Sequence, residues 1–187
     1  MKAFNIQSAL SEFDRDYQPA YKPRLLSKER CEALIHQAEQ GKWHESNFGQ
    51  RHIYSLPAAQ IESVALMLND LIPPVLGPLV YEGLYPGTVQ VFRYLKGDAF
   101  EPHTDKAMII DEGRATVFTI VVYLNDCQGG ATRFTKLNLD FAPKQGDAIL
   151  FPQGLLHEGR PVLSEKKYIL RAQIIYQFNF WQNPSTM

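Results

Sequence analysis

His103 and Asp105 stand two positions apart, and His157 follows far downstream. On a β-strand, residues i and i+2 project from one face, so His103 and Asp105 can grip one ion while Thr104 points away. A distant histidine completes a facial set of two imidazoles and one carboxylate, which leaves open positions on an octahedral Fe(II). Open positions are where substrates react. Alone, the triplet is weak: five histidines and nine aspartates put an accidental H-x-D in roughly one such chain in four. His36, His44 and His52 lack such neighbours and read as ordinary surface or core residues.

Other chemistries find no support. The chain contains no G-x-x-x-x-G-K-[ST], no G-x-G-x-x-G and no G-x-S-x-G, which removes the usual signs of a P-loop, a dinucleotide fold and a hydrolase elbow. His157-Glu158-Gly159-Arg160-Pro161 begins like a zincin helix but places Pro161 where the second histidine must stand. A Ser/His/Asp triad stays open, because its members need not be neighbours in sequence.

The elements that must position these residues change character halfway along the chain. Ser27 is a plausible N-cap for a helix carrying Cys31, Leu34, Ile35 and Ala38 on one face, with Gly41 as its stop. A second helical stretch runs from about Ala58 to Leu71 and ends at Pro73-Pro74. After about Leu79 the apolar period falls to two. Segments 88–94, 117–123, 137–141, 147–151 and 167–180 then read as short strands separated by Gly, Pro and Asp. Helices first and strands later argue against a doubly wound sheet and fit a sandwich or jelly roll.

The segment Phe92 to Asp105 resembles the first metal motif of the prolyl 4-hydroxylase-type Fe(II)/2-oxoglutarate-dependent dioxygenases. Three further blocks resemble that family in its order. They are Tyr123-Leu124-Asn125-Asp126 with Gly129 to Phe134, then Pro143 to Phe151, then His157 to Val162 with Lys167-Tyr168. The likeness covers about residues 88 to 177, with a looser match in the helix at Leu26 to Glu39.

What the resemblance implies is concrete. The fold is a mainly β, double-stranded β-helix (jelly roll) with N-terminal helices packed outside it. One domain covers residues 1–187, with helical support over about 24–75 and the jelly-roll core over about 79–180. His103, Asp105 and His157 hold Fe(II), 2-oxoglutarate is the cosubstrate, O2 the oxidant and ascorbate the accompanying reductant. A basic residue ten positions after the distal histidine binds the far carboxylate of 2-oxoglutarate; Lys167 stands there. Arg171 is its rival, because Lys167, Ile169 and Arg171 share one strand face and Arg grips a carboxylate bidentately. Tyr94 matches a tyrosine that hydrogen-bonds the same carboxylate, and Thr119 is a further candidate in that cluster. Asp105 favours hydroxylation over halogenation, since the related halogenases lack this carboxylate. The expected activity is hydroxylation of an unactivated C–H bond in a peptidyl, proline-like residue or a small molecule.

Three rival readings stand beside this one. A cupin-type metal jelly roll would show H-x-H with a glutamate, which position 105 contradicts. A binding module or sensor would keep metal and 2-oxoglutarate without turnover. A nucleic-acid demethylase on this scaffold calls for a basic groove that a net charge of −1 does not advertise, so nucleic acid is an unexpected partner. The first residues show no hydrophobic signal core, and the apolar run Val117–Leu124 is far too short to span a bilayer. With Cys31 and Cys127 as its two cysteines, the chain suits a reducing, cytoplasmic setting without a membrane. Segments 43–57 and 106–114 are the expected site entrance. Oligomeric state stays open.

Overall fold

A computed structural model describes residues 17–46 and 51–179. Its frame is two facing β-sheets. The large sheet runs β1 (Ala20–Lys22), β11 (Ala148–Pro152), β8 (Arg114–Tyr123), β13 (Lys166–Phe178), β6 (Gln90–Leu95), β3 (His52–Ser55) and β2 (His44–Glu45). β5 (Leu79–Leu84) joins the C-terminal half of β13 and carries β4 (Val75–Leu76) on its other side. The small sheet runs β10 (Leu139–Phe141), β9 (Thr132–Phe134), β12 (His157–Gly159) and β7 (Phe100–His103). All pairings are antiparallel, the arrangement of a jelly roll.

The two-residue period of β13 sorts its side chains between two environments. Tyr168, Leu170, Ala172, Ile174, Tyr176 and Phe178 join the core on the outer face of the large sheet. Ile169 joins the core between the sheets, and Lys167 and Arg171 line a cavity on that same inner side. A one-residue register slip would exchange these sets and bury the wrong charges, so the pattern pins the pairing. Val117 is the extra residue of β8: Phe118 pairs Ile174 and Thr116 pairs Ile175, leaving Val117 between them. That bulge lets Val117 and Phe118 both enter the outer core before alternation resumes at Thr119.

Helices cover the outer face. α1 (Lys28–Gln40) starts at Ser27, whose hydroxyl accepts from the Arg30 amide at 3.4 Å, and it buries Cys31, Leu34 and Ala38 against the sheet. The second helical stretch is shorter than its periodicity suggests. A 3-10 turn at Ala58–Gln60 leads into α2 (Ile61–Leu68), which buries Val64 and Leu68. The division into helical support and later strands also needs correction, because β1 to β4 all precede residue 79. These strands have two to four residues, too short for alternation to register in sequence. The expected strand 137–141 begins as a 3-10 turn with Asn138 in the left-handed conformation and is extended only from Leu139. Phe180, the last residue of the expected final strand, and the first residues lie outside the described residues. Among the described residues, no helix is long and apolar enough to cross a membrane.

The turn before β9 depends on glycine. Gly129 and Gly130 have φ of +68° and +64°, and a Cβ on Gly129 would lie 2.4 Å from the Pro161 carbonyl oxygen. Left-handed backbone costs an ordinary L-residue about 1–2 kcal/mol, before any clash. Gly129→Ala is therefore expected to lose at least about that much stability, read from the midpoint of urea unfolding; an unchanged midpoint would refute the packing of this turn.

Candidate active site

The two short strands β7 and β12 bring distant histidines side by side. His157 pairs His103 in register, and their ring centroids are 4.3 Å apart. Asp105 follows β7 after one residue, and His103, Asp105 and His157 offer ligand atoms all within 4.8 Å of one another. The sequence expectation that these three side chains converge thus holds in space.

Both imidazoles are oriented by backbone. His103 Nδ1 lies 2.8 Å from the Glu101 carbonyl oxygen, and His157 Nδ1 lies 2.9 Å from that of Leu155. A carbonyl only accepts, so each Nδ1 carries the proton and each Nε2 keeps its lone pair free. Burial lowers the pKa of both rings below the ordinary histidine value, which keeps them neutral. Burial works to raise Asp105, but Arg171, His157 and Thr119 together hold its carboxyl below the usual range. Arg171 Nη2 is 3.0 Å from Asp105 Oδ1, and the Thr119 hydroxyl donates to Oδ2 at 2.5 Å. Two neutral imidazoles with fixed tautomers and one anchored carboxylate fit a divalent metal, and the mix of nitrogen and oxygen suits Fe(II).

The three residues open onto a cavity of about 490 Å3 that Tyr94, Thr119, Lys167 and Arg171 also line. All seven candidate site residues therefore meet in one space. Within it the two basic candidates differ. Arg171 is committed to Asp105. Lys167, four residues and about 13 Å earlier along the strand, is buried, donates to the Gly130 carbonyl at 2.5 Å, and has no carboxylate partner among the described residues. Its ammonium sits 5.1 Å from the Tyr94 ring centroid and 5.6 Å from that of Tyr123. Burial pushes its pKa down to about 8. The Thr119 hydroxyl is placed on Asp105. Phe134, Phe151 and Ile169 are core residues between the sheets.

Of the expected entrance, Arg51 and Ile53 from the first segment and Lys106 from the second line the cavity, whereas residues 47–50 lie outside the described residues. Arg51 was not among the sequence candidates. Its guanidinium lies 4.8 Å from the Phe92 ring centroid and 4.0 Å from that of Phe100, and burial lowers its pKa. No motif surrounds it; its position just before β3, an early strand beside β6, carries the only signal.

Comparison with known proteins agrees with this geometry. Residues 89–174 match the 2OG-Fe(II) oxygenase superfamily. A prolyl 4-hydroxylase-type protein of Acanthamoeba polyphaga mimivirus is 34% identical over 101 residues, 43% of this chain and 41% of that relative. The chain thus matches less than half the length of that curated relative. Among solved structures, the collagen prolyl hydroxylase of Paramecium bursaria Chlorella virus-1, in a 2-oxoglutarate complex, is similar with a TM-score of 0.59 and 24% identity, covering 87% of this chain and 98% of that one. A prolyl hydroxylase of Trichoplax adhaerens, in complex with a peptide fragment of hypoxia inducible factor, gives 0.67 and 15%, covering 93% and 89%. At these identities the structures show a shared fold.

Proposed function

We propose that this chain is a member of the 2OG-Fe(II) oxygenase superfamily and a 2-oxoglutarate-dependent dioxygenase that hydroxylates an unactivated C–H bond, a reading supported by the family match over residues 89–174. One observation carries the reading: His103, Asp105 and His157 converge on the same cavity that holds the buried, acid-free ammonium of Lys167. His103 and His157 would hold Fe(II) through Nε2, and Asp105 through its carboxylate. When bound, iron and 2-oxoglutarate would supply the oxidation: 2-oxoglutarate would be decarboxylated to succinate and CO2, with one oxygen atom of O2 entering succinate and the other the substrate hydroxyl. The protein's residues hold, orient and enclose. Backbone carbonyls fix both imidazole tautomers, Thr119 and Arg171 fix the carboxylate, and the rings of Phe92, Phe100 and Phe151 line the cavity beside them. Ascorbate as a reductant belongs to the same proposal. The substrate carbon lies in a peptidyl residue or a small molecule; the relatives named above are prolyl hydroxylases.

Lys167, with Tyr94 against it, would take the far carboxylate of 2-oxoglutarate, since the charge of Arg171 is already spent on Asp105. The decisive assay is succinate release from 2-oxoglutarate by protein given Fe(II), ascorbate and air. Release in the absence of any acceptor supports the enzyme over a binding module, and none with any acceptor would overturn it.

The lowered Lys167 pKa makes a pH prediction. A carboxylate favours the charged amine, so above pH 8 binding of 2-oxoglutarate must take up a proton. The dissociation constant should be flat below that pH and rise about tenfold per unit above it, as calorimetry in the presence of Mn(II) would show. A flat profile to pH 9.5 would contradict the assignment. Without ligand the sign reverses. The folded-state pKa lies below the unfolded value of about 10.4, so the unfolded chain binds more protons across that window. The contribution of Lys167 to stability therefore improves as pH rises from about 8 to about 10.4.

A further inference from the structure

The cavity is lined by two cations, one buried and one half-buried, that form no ion pair with an acid among the described residues. One is Lys167, which the proposed function assigns to 2-oxoglutarate. The other is Arg51. Its Nε and Nη1 are buried without hydrogen-bond partners, its guanidinium carbon lies over the faces of Phe92 and Phe100, and the charges it feels across the cavity are those of Arg171 and Asp105, neither in an ion pair with it. The adjoining residues Asn47, Phe48, Gly49 and Gln50 carry no acidic side chain. A guanidinium buried against two rings, with donors unspent, is costly unless something anionic joins it.

Its location says what that something is. Arg51 lines the same cavity as the metal-type triad. Two ring contacts, of 4.0 Å to Phe100 and 3.8 Å from Phe100 to His103, separate the guanidinium from the imidazole. A ligand gripped by Arg51 thus presents its nearby carbon atoms to the reacting centre. The guanidinium carbon lies over two aromatic rings, the donors at Nε and Nη1 have no hydrogen-bond partner, and a carboxylate matches a guanidinium with paired hydrogen bonds. We infer that Arg51 is the specificity residue for a substrate bearing a free carboxylate a few bonds from the reacting C–H, such as an amino acid or a C-terminal residue, rather than a residue inside a peptide.

This inference rests on the oxygenase reading, and the test separates the two. Ligand-observed NMR without O2, on full-length protein loaded with Fe(II) and 2-oxoglutarate, compares the N-acetyl amino acids with their primary amides as matched pairs. The expected result is at least one acid bound about tenfold or more tighter than its amide. In Arg51→Gln that preference disappears through weakening of the acid alone, and Arg51→Lys restores part of it. Acid and amide weakening together would mark Arg51 as structural and overturn the proposal. So would acids that never out-bind their amides, or a 2-oxoglutarate dissociation constant raised as much as that of the acid. Failure of the wild-type protein to form succinate in air counts against the oxygenase reading instead, and the selectivity is read independently of it.

Discussion

Asp105→Ala or His157→Ala is expected to abolish succinate formation and to weaken Fe(II) binding by at least about 100-fold, with the domain still folded. Residues that merely orient metal ligands are worth about 10–100-fold in affinity, so loss of a ligand itself exceeds that range. The fold survives for a local reason. The His157 ring hydrogen-bonds the Leu155 carbonyl and packs on Phe151 and Phe134, but the bulk of both cores is made of apolar side chains that the substitution leaves in place. Asp105→Ala does leave Arg171 and Thr119 without their acceptor, but they face a cavity that water can enter. Anaerobic equilibrium dialysis of Fe(II) with a succinate assay checks both effects. Retained turnover in either variant would end the ligand assignment.

Lys167→Ala carries the second large effect. A carboxylate bound in a buried site and then deprived of its cation costs about 2–4 kcal/mol. The 2-oxoglutarate requirement should rise accordingly, by roughly 30-fold to 900-fold, with a smaller change in the rate at saturation. Lys167→Met keeps much of the stem packed near Tyr94 and Tyr123 and separates lost charge from lost packing. Titrating 2-oxoglutarate against succinate formation measures the shift. If Arg171→Ala shows the larger shift and Lys167→Ala little, the carboxylate partner is Arg171.

Much of this site was legible in sequence because strand alternation is a strict rule. Spacing alone put Lys167, Ile169 and Arg171 on one face, and β13 holds all three on the inner side. The i, i+2 argument put His103 and Asp105 together, although β7 ends at His103 and Asp105 stands in the loop beyond it. Spacing left the choice between Lys167 and Arg171 open, because it depends on which one Asp105 reaches across the cavity, a contact between residues 66 positions apart. Thr119 shows the same limit: its strand was visible, but the partner of its hydroxyl was not. Arg51 was invisible for a further reason. It precedes a four-residue strand inside a segment that otherwise reads as loop, and its importance comes only from Phe92 and Phe100 closing on it. The second helix was overextended because Leu71 and Ile72 continue its apolar period after its regular hydrogen bonding has ended at Leu68.

The proposed oxygenase requires one divalent ion held by two imidazoles and a carboxylate, with 2-oxoglutarate sharing it and reaching Lys167. A crystal structure of the protein grown with Mn(II) and 2-oxoglutarate in the absence of O2 tests it most directly. The expected result is a single metal bonded to His103 Nε2, Asp105 and His157 Nε2, with the far carboxylate of 2-oxoglutarate on Lys167. Metal bound elsewhere, or a metal that leaves any of these three side chains uncoordinated, would contradict it.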